Sequence, residues 1–511
     1  MSTSRAPAPG KLVRANQGAL GVAAIALASV LLIFTQSGFV LVALGLLAVG
    51  ALALLRWPWL IFVALVASVP VQQLILIPAG GRVVTLTQLA VVASLGIAAI
   101  AIATDRIRLT FHVAYVPLSG LLLALLITVG VAQSPMAALS ELARWCITAW
   151  AFILAMHFLA DGNRFKLTLV VVALGLGGLF QAAFGVVQSV LALGPDSFLL
   201  NSGVSRAFGT FGMPNTYAGF LEIVLFPVFW VGVYYCLLAF RRVRPYRFKR
   251  LRYGMVAVTE ERRELLLAAG VGIILIGLAL MTAGGIIASL SRGAWLGVIA
   301  GALLTAFLVH RILRVVILAA IPIAVLSAVS GAIAYAPAPI AERIESGVEQ
   351  FQIVDPVTVE IDDDNFATLE RLAHWQAGWR MFDDSPLLGV GIGNFNDRYS
   401  DYYVRDEFDH SAGHAHNYYI HMLAEAGLAG FAFYLMFIGG IVVAGIRTAF
   451  RARNDFYRLV SIGAVGSVVA VATHNVVENL HVLNLGIAQA ALWALILVSH
   501  EATFNPNFVE R

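Results

Sequence analysis

Apolar residues run in long unbroken blocks along most of the chain, and polar residues collect between the blocks instead of alternating within them. A bilayer core takes about 20 apolar residues per helix. Fourteen blocks approach that length, near residues 19–35, 37–55, 57–77, 84–103, 111–132, 139–160, 166–193, 215–239, 264–289, 294–309, 315–334, 421–446, 459–477 and 483–500. Some are short and some hold polar residues, so the pattern predicts an all-α polytopic membrane protein of 12–14 transmembrane helices. The first block does not read as a cleavable signal peptide, because a second apolar run follows almost at once with no clear small-residue cleavage site. One long interruption gives the expected organisation. An N-terminal bundle of about eleven spans covers 1–334, a large extracytoplasmic loop covers 335–420, and about three C-terminal spans cover 421–511.

Composition narrows the class. Of 511 residues, 60% are hydrophobic and 12% are charged, and the mean hydropathy is +0.86. A soluble domain has about a quarter of its residues charged, and disorder needs low hydrophobicity with high charge, so both are excluded. Cys146 and Cys236 lie within apolar blocks and imply neither a disulfide framework nor a metal cluster. The net charge is +4, but its distribution is more informative than its size. With the N-terminus in the cytoplasm, the cytoplasmic connections hold 24 Lys and Arg residues and the opposite side holds nine. Both termini are therefore expected in the cytoplasm.

The segment 335–420 holds sixteen acidic and five basic residues, a net of −11, with four of the eleven histidines. Within it Leu369, Leu372, Trp375, Trp379 and Phe382 recur at helical spacing, which predicts an amphipathic helix over 368–382 lying on the membrane surface. Gly389, Gly391 and Gly393 follow with no βαβ context, so they read as a tight turn back to the membrane rather than a phosphate cradle. Asp362, Asp363 and Asp364 match no EF-hand spacing and read as a solvated turn. The basic run Arg241 to Arg252, interleaved with Tyr246 and Phe248, could touch nucleic acid, but beside a membrane it reads as a topology and headgroup contact. No nucleic-acid partner is expected.

The sharper signals are polar residues at span ends. His414, His416 and Asn417 stand at the start of the twelfth block. His414 and His416 are two residues apart with no close third ligand at a recognised zinc spacing, so no metal is expected. Arg206 lies in a short outside connection, and Arg292 lies between two spans. Either arginine alone fits a side chain snorkelling to the interface. Arginine at membrane depth normally has a functional partner, and two of them on one side with a histidine suggest an anionic ligand held near a general base.

At these residues the chain resembles the O-antigen ligase and polymerase superfamily of bacterial surface-glycan enzymes. The C-terminal signature of that family is His, then Asn, Ser or Gln, nine residues, Gly, two residues and usually Gly. His416, Asn417, Gly427 and Gly430 fill it. Arg371, His374 and Trp375 through Pro386, Gly389 and Gly391 resemble the segment just upstream. Ser291, Arg292, Gly293 and Trp295 resemble the mid-chain arginine motif, and Arg206 through Asn215 the earlier arginine loop. The resemblance covers roughly residues 200–485. The family commonly has about twelve spans, three of them after its large outside loop, so any surplus here lies at the N-terminus.

The resemblance implies a glycosyltransferase of the bacterial cytoplasmic membrane that needs no cofactor. It would move a glycan from undecaprenyl diphosphate to a hydroxyl of lipid A-core or another glycan acceptor on the outer face, with membrane lipids around it. Arg206 and Arg292 would hold the diphosphate and stabilise its departure. His416 would take the acceptor's proton, as a side chain with an ordinary pKa near 6.5 can, and attack opposite the leaving group would invert the anomeric centre. His414, Asn417, Gly427 and Gly430 would support the site. A repeat-unit polymerase and a protein O-oligosaccharyltransferase share the motif and stay open as alternatives. A flippase or other transporter has a similar number of spans, but transporters commonly show internal repeats and none is visible. Arg206, Arg292 and His416 are expected to meet at one cavity, covered by the 335–420 loop.

Overall fold

The computed structural model describes residues 49–50, 52–74, 76–79, 82–199, 204–253, 259–329, 355–362, 365–411 and 413–505. The expected span near 19–35, most of that near 37–55, the segment 330–354 and the residues Asp363 and Asp364 lie outside them.

The chain runs from α1 (Leu60–Ser68) through a hairpin of two antiparallel strands, β1 (Leu76–Ala79) and β2 (Arg82–Thr85), with Leu76 opposite Thr85. Helices follow: α2 (Leu86–Ala103), α3 (Tyr115–Thr128), α4 (Pro135–Phe158), α5 (Arg164–Val190), α6 (Pro214–Tyr253) and α7 (Thr259–Ala288). Next come α8 (Arg292–Val309), α9 (Arg311–Val329), α10 (Phe366–Asp384), α11 (Tyr418–Arg451), α12 (Asp455–His474) and α13 (Leu485–Phe504). Among the described residues nine helices (α2, α4 to α8 and α11 to α13) are long and apolar enough to cross a membrane. The helices α1 and α3 are apolar but shorter. The protein is an all-α polytopic membrane protein, the hairpin apart.

Helix starts are set by side chains that accept otherwise orphaned backbone N–H groups. Thr85 forms a capping box on α2, and Asn163, Ser291, Asn417 and Asn454 cap α5, α8, α11 and α12. Small residues then let the helices approach closely, the usual device where water is absent. A Cβ on Gly301 of α8 would come within 2.6 Å of the Gly466 carbonyl on α12.

Connections from distant parts of the sequence meet at one end of the bundle. There the Pro70 carbonyl accepts from Gln181 and from Thr210 Oγ1 at 2.8 Å, and Ser134 N donates to Asn394 Oδ1 at 2.6 Å. At the other end Tyr457 OH donates to the Gly162 carbonyl at 3.0 Å, and Arg458 Nη2 donates to the Val309 carbonyl at 2.8 Å. Arg164, Lys166, Arg311, Arg314, Arg447, Arg451 and Arg453 crowd this second end.

The amphipathic helix expected over 368–382 forms as α10, and its buried face keeps Leu369 and Leu372 of the expected stripe but not Trp379. Leu369, Leu372, Ala373, Ala377 and Met381 are buried, whereas Trp379 is exposed. That face packs on protein, against Phe395, Tyr399, Ile420 and Ala424. Alanine and glycine suit it because α10 lies directly against α11: a Cβ on Gly378 would come within 2.7 Å of Ile420.

The helix α11 is broken at Gly427, which has φ 59° and ψ −165°. The glycine turn expected at 389–393 runs alongside the break. Leu428 N donates to the Pro386 carbonyl at 2.8 Å and Ala429 N to the Leu387 carbonyl at 3.3 Å. In return Val390 N donates to the Ala424 carbonyl at 2.8 Å and Gly391 N to the Glu425 carbonyl at 3.1 Å. The Glu425 carboxylate accepts from Gly393 N and Phe395 N, each at 2.8 Å. Four of the backbone groups at the break are thus paired with the 386–391 segment. A Cβ on Gly427 would lie 2.3 Å from the Leu387 carbonyl carbon, and a non-glycine residue at this φ is strained as well. Gly427→Ala should therefore destabilise the fold by roughly 1–3 kcal/mol. A lowered thermal midpoint in detergent, followed by circular dichroism, checks this. An unchanged midpoint would mean that the 386–391 segment does not need the break.

Candidate active site

The helix α12 ends at His474, and the chain turns through residues 475–484 into α13. This turn holds the start of α11, because the Asn475 and Glu478 carbonyls both accept from Tyr418 N, at 2.8 and 3.1 Å. Glu478 itself is buried. Its Oε1 accepts from Asn479 N at 3.0 Å, and its Oε2 accepts from Asn215 Nδ2. The His414 Nε2 atom lies 3.5 Å from Oε1, and the His416 Nδ1 atom lies 3.7 Å from it. Burial alone would raise the pKa of Glu478, but the His416 and His414 rings and the Asn479 N–H outweigh it and hold the carboxyl below the usual carboxylate range.

His416 is the residue just before the cap of α11, and it has a left-handed φ of 51°. A non-glycine residue pays a steric penalty there and persists only where its surroundings fix it. They do. Asn417 Oδ1 accepts from Tyr419 N at 3.0 Å and Ile420 N at 3.1 Å, which sets the helix start. Trp375 Nε1 of α10 donates to the His416 carbonyl at 3.3 Å, and His416 N donates to His414 Nδ1 at 3.1 Å. The His374 ring stands 5.5 Å from that of His416 and stacks on Tyr399 at 5.0 Å.

Arg206 reaches this site from the α5–α6 connection. Its Nε donates to the Ser289 carbonyl at 3.1 Å and its Nη2 to Asn215 Oδ1 at 3.2 Å. Burial lowers its pKa and the Arg371 charge lowers it further; Glu478 opposes both, and Arg292 adds to the lowering. Arg292, Arg371 and Glu478 thus each lie close enough to Arg206 to act on it. Arg292 opens α8, and its turn is braced from within the bundle. Ser291 Oγ lies 3.4 Å from His474 Nε2, and His474 Nδ1 lies 2.9 Å from Glu222 Oε2. Gly293 permits this contact, since a Cβ there would lie 2.6 Å from the His474 ring.

Of the residues singled out from the sequence, Arg206, Arg292, His414 and His416 come together at this end of the bundle, and Asn417 caps the helix beside them. Gly427 and Gly430 do not join them. They lie farther along α11, at its break and against Leu125 of α3. Three residues of the site were not assigned to it from the sequence. Asn215 was seen only as the end of the arginine loop, and Arg371 only as part of an upstream segment. Glu478 had a signal, as the one Asp, Glu, Lys or Arg between Leu459 and Ser499.

Glu478 also supplies the third potential ligand that the spacing of His414 and His416 lacks, and the three ligand atoms lie within 4.8 Å of one another. The hydrogen bond into His414 Nδ1 argues against metal ligation. A neutral imidazole that accepts at Nδ1 carries its proton on Nε2, so His414 presents an N–H to Glu478 rather than a lone pair. Burial pushes the His414 pKa down to about 3, which keeps the ring neutral.

Residues 276–435 match the family described as O-antigen ligase. No curated protein matches the chain. The family match bears out the resemblance to the O-antigen ligase and polymerase superfamily and makes this a glycosyltransferase-type membrane protein. The matched stretch includes Arg292, Arg371, His414, His416 and Gly427, while Arg206, Asn215 and Glu478 lie beyond it.

Because His414 faces Glu478 as a donor and arginines supply the positive charge, activity should not depend on a divalent metal. Glycan transfer by the purified protein should be unchanged by EDTA. Loss with EDTA and recovery with magnesium, manganese or zinc would overturn this.

Proposed function

We propose that the protein is an O-antigen ligase-type glycosyltransferase that moves a glycan from undecaprenyl diphosphate to an acceptor hydroxyl, lipid A-core or a similar glycan. The observation that carries this reading is the placement of His416 3.7 Å from a buried carboxylate that is linked through Asn215 to Arg206, on which the Arg292 and Arg371 charges act. The arginines bind the diphosphate and take up the charge that grows on it. His416 accepts the acceptor's proton while the acceptor oxygen attacks the anomeric carbon from the face opposite the diphosphate. The configuration inverts, and no metal takes part.

The site lies at the end of the bundle opposite the crowded basic residues, and the positive-inside rule then puts it on the outer face of the cytoplasmic membrane with both termini inside. An apolar groove of about 370 Å³ between α1 and α5, lined by Val63, Ala67, Leu169, Val172 and Phe180, offers a seat for the polyprenyl tail. It reaches Pro70, whose carbonyl is bonded to Thr210 in the arginine loop. In this reading α10, packed on the first part of α11, belongs to a cover over the site on the outer side of the membrane.

The test is transfer without ATP or an ion gradient, which a transporter would not catalyse. His416→Ala should slow transfer by at least about a hundredfold and leave undecaprenyl diphosphate binding largely intact. Arg206→Ala or Arg292→Ala should weaken that binding as well as slow transfer, because arginine contacts the diphosphate before and during the step. His414→Ala should lose less than His416→Ala. An inactive His414→Ala beside a near-normal His416→Ala would remove His416 as the base.

A further inference from the structure

We infer that Glu478 is a positioning residue for the transfer step, which fixes His416 with its proton on Nδ1 and ties that base through Asn215 to Arg206. The inference rests on the roles proposed above for His416 and Arg206. It concerns a residue outside both the matched family segment and the histidine signature.

The two carboxylate oxygens are divided between the two halves of the site. Oε1 faces the histidines, at 3.5 Å from His414 Nε2 and 3.7 Å from His416 Nδ1. Oε2 accepts from Asn215 Nδ2, and the other atom of the same amide, Oδ1, accepts from Arg206 Nη2 at 3.2 Å. Asn215 can relay only in this orientation, since its NH₂ must face the carboxylate and its oxygen the guanidinium.

The carboxylate also selects the tautomer of His416. Its Nδ1 is buried and has no other hydrogen-bond partner. A neutral imidazole holds its proton on one nitrogen, and a lone pair on Nδ1 would face an anion. The proton therefore sits on Nδ1, and the lone pair is left on Nε2. A separation of 3.7 Å is long for a hydrogen bond, and catalytic hydrogen bonds commonly tighten only when substrate is bound.

In the transfer step the acceptor O–H bond breaks and its proton goes to Nε2. The acceptor oxygen forms the new bond to the anomeric carbon, whose bond to the diphosphate breaks with its electron pair. His416 becomes a cation, and Glu478 is the anion placed to hold it.

The experiment uses the full chain in lipid nanodiscs. Membranes from host cells lacking the chromosomal copy supply lipid-linked glycan and acceptor, and undecaprenyl diphosphate serves as the binding probe. Glu478→Gln keeps the size of the side chain and removes its charge. It should lower kcat by about 10–100-fold, the usual effect of losing an orienting partner, with undecaprenyl diphosphate affinity within about threefold of the parent. Glu478→Asp, with the charge kept and the reach shortened, should fall between the two. In a His416→Ala background, Glu478→Gln should add almost nothing, because its effect passes through His416.

Normal transfer by Glu478→Gln beside an inactive His416→Ala would overturn the inference and leave the reading of His416 standing. If neither substitution slows transfer, that reading fails first. A further tenfold loss in the His416→Ala background, or equal losses of kcat and affinity, would show Glu478 acting independently of His416 and overturn the inference. Should Glu478→Gln not fold, Glu478→Asp decides, since parental kcat at the shortened reach would also overturn it.

Discussion

A carboxylate buried at the end of a membrane helix bundle is tolerable only when donors surround it. Glu478 meets that demand by gathering them from distant parts of the chain. The Asn479 N–H comes from its own turn, the Asn215 amide from the start of α6, and the two histidine rings from the start of α11. The same turn accepts the Tyr418 N–H through two carbonyls, and His474 just before it braces Ser291 against Glu222. The arginine loop, the start of α8 and the histidine turn are therefore all registered against residues 474–479. Solvating one buried charge assembles the site.

The spacing from His416 to Gly427 gains a physical meaning from the break in α11. The segment between them is a short helix fixed at both ends. Asn417 and the 475–478 carbonyls hold its beginning, and the backbone of 386–391 fills the gap at its end. Gly427 is needed there because a side chain would collide with the Leu387 backbone. The glycine serves the scaffold and the histidine serves the proposed chemistry, and one short helix joins them. Glu425, on the same short helix, anchors Gly393 and Phe395 and closes the turn that leads to this gap.

Much of the architecture was legible because a membrane span is a local signal. A run of about 20 apolar residues predicts a helix without reference to anything else, and the nine long helices fall on nine of the expected blocks. Arg206, Arg292 and His416 were legible for a related reason, as polar groups at the ends of apolar blocks. Partnership was not legible. Asn215 and Glu478 are 263 residues apart, and no pattern along the chain says that one serves the other. For α10 the periodicity gave an apolar side but not what covers it. Trp379 weighs heavily in a hydrophobic stripe, yet small residues such as Ala373 and Ala377 mark the side that meets protein, because close packing selects for shape as much as for apolar area.

The distribution of charge across the site follows from this assembly and bears on how the proposed step works. The Arg371 and Arg292 charges act against that of Arg206, and Glu478 opposes them there. In the proposed reading this arginine side is the part of the site that a diphosphate would meet. On the histidine side Glu478 is the anion, held below the usual carboxylate range beside the His414 and His416 rings. In the transfer step negative charge grows on the departing diphosphate and positive charge grows on His416. Each develops beside a group of opposite sign that is already in place, so little reorganisation is required as the charges separate. Asn215 stands between the two sides, with one end of its amide on Arg206 and the other on Glu478. It stands in place of a direct pair between the guanidinium and the carboxylate, so that in the proposed step each can turn to its own half of the reaction.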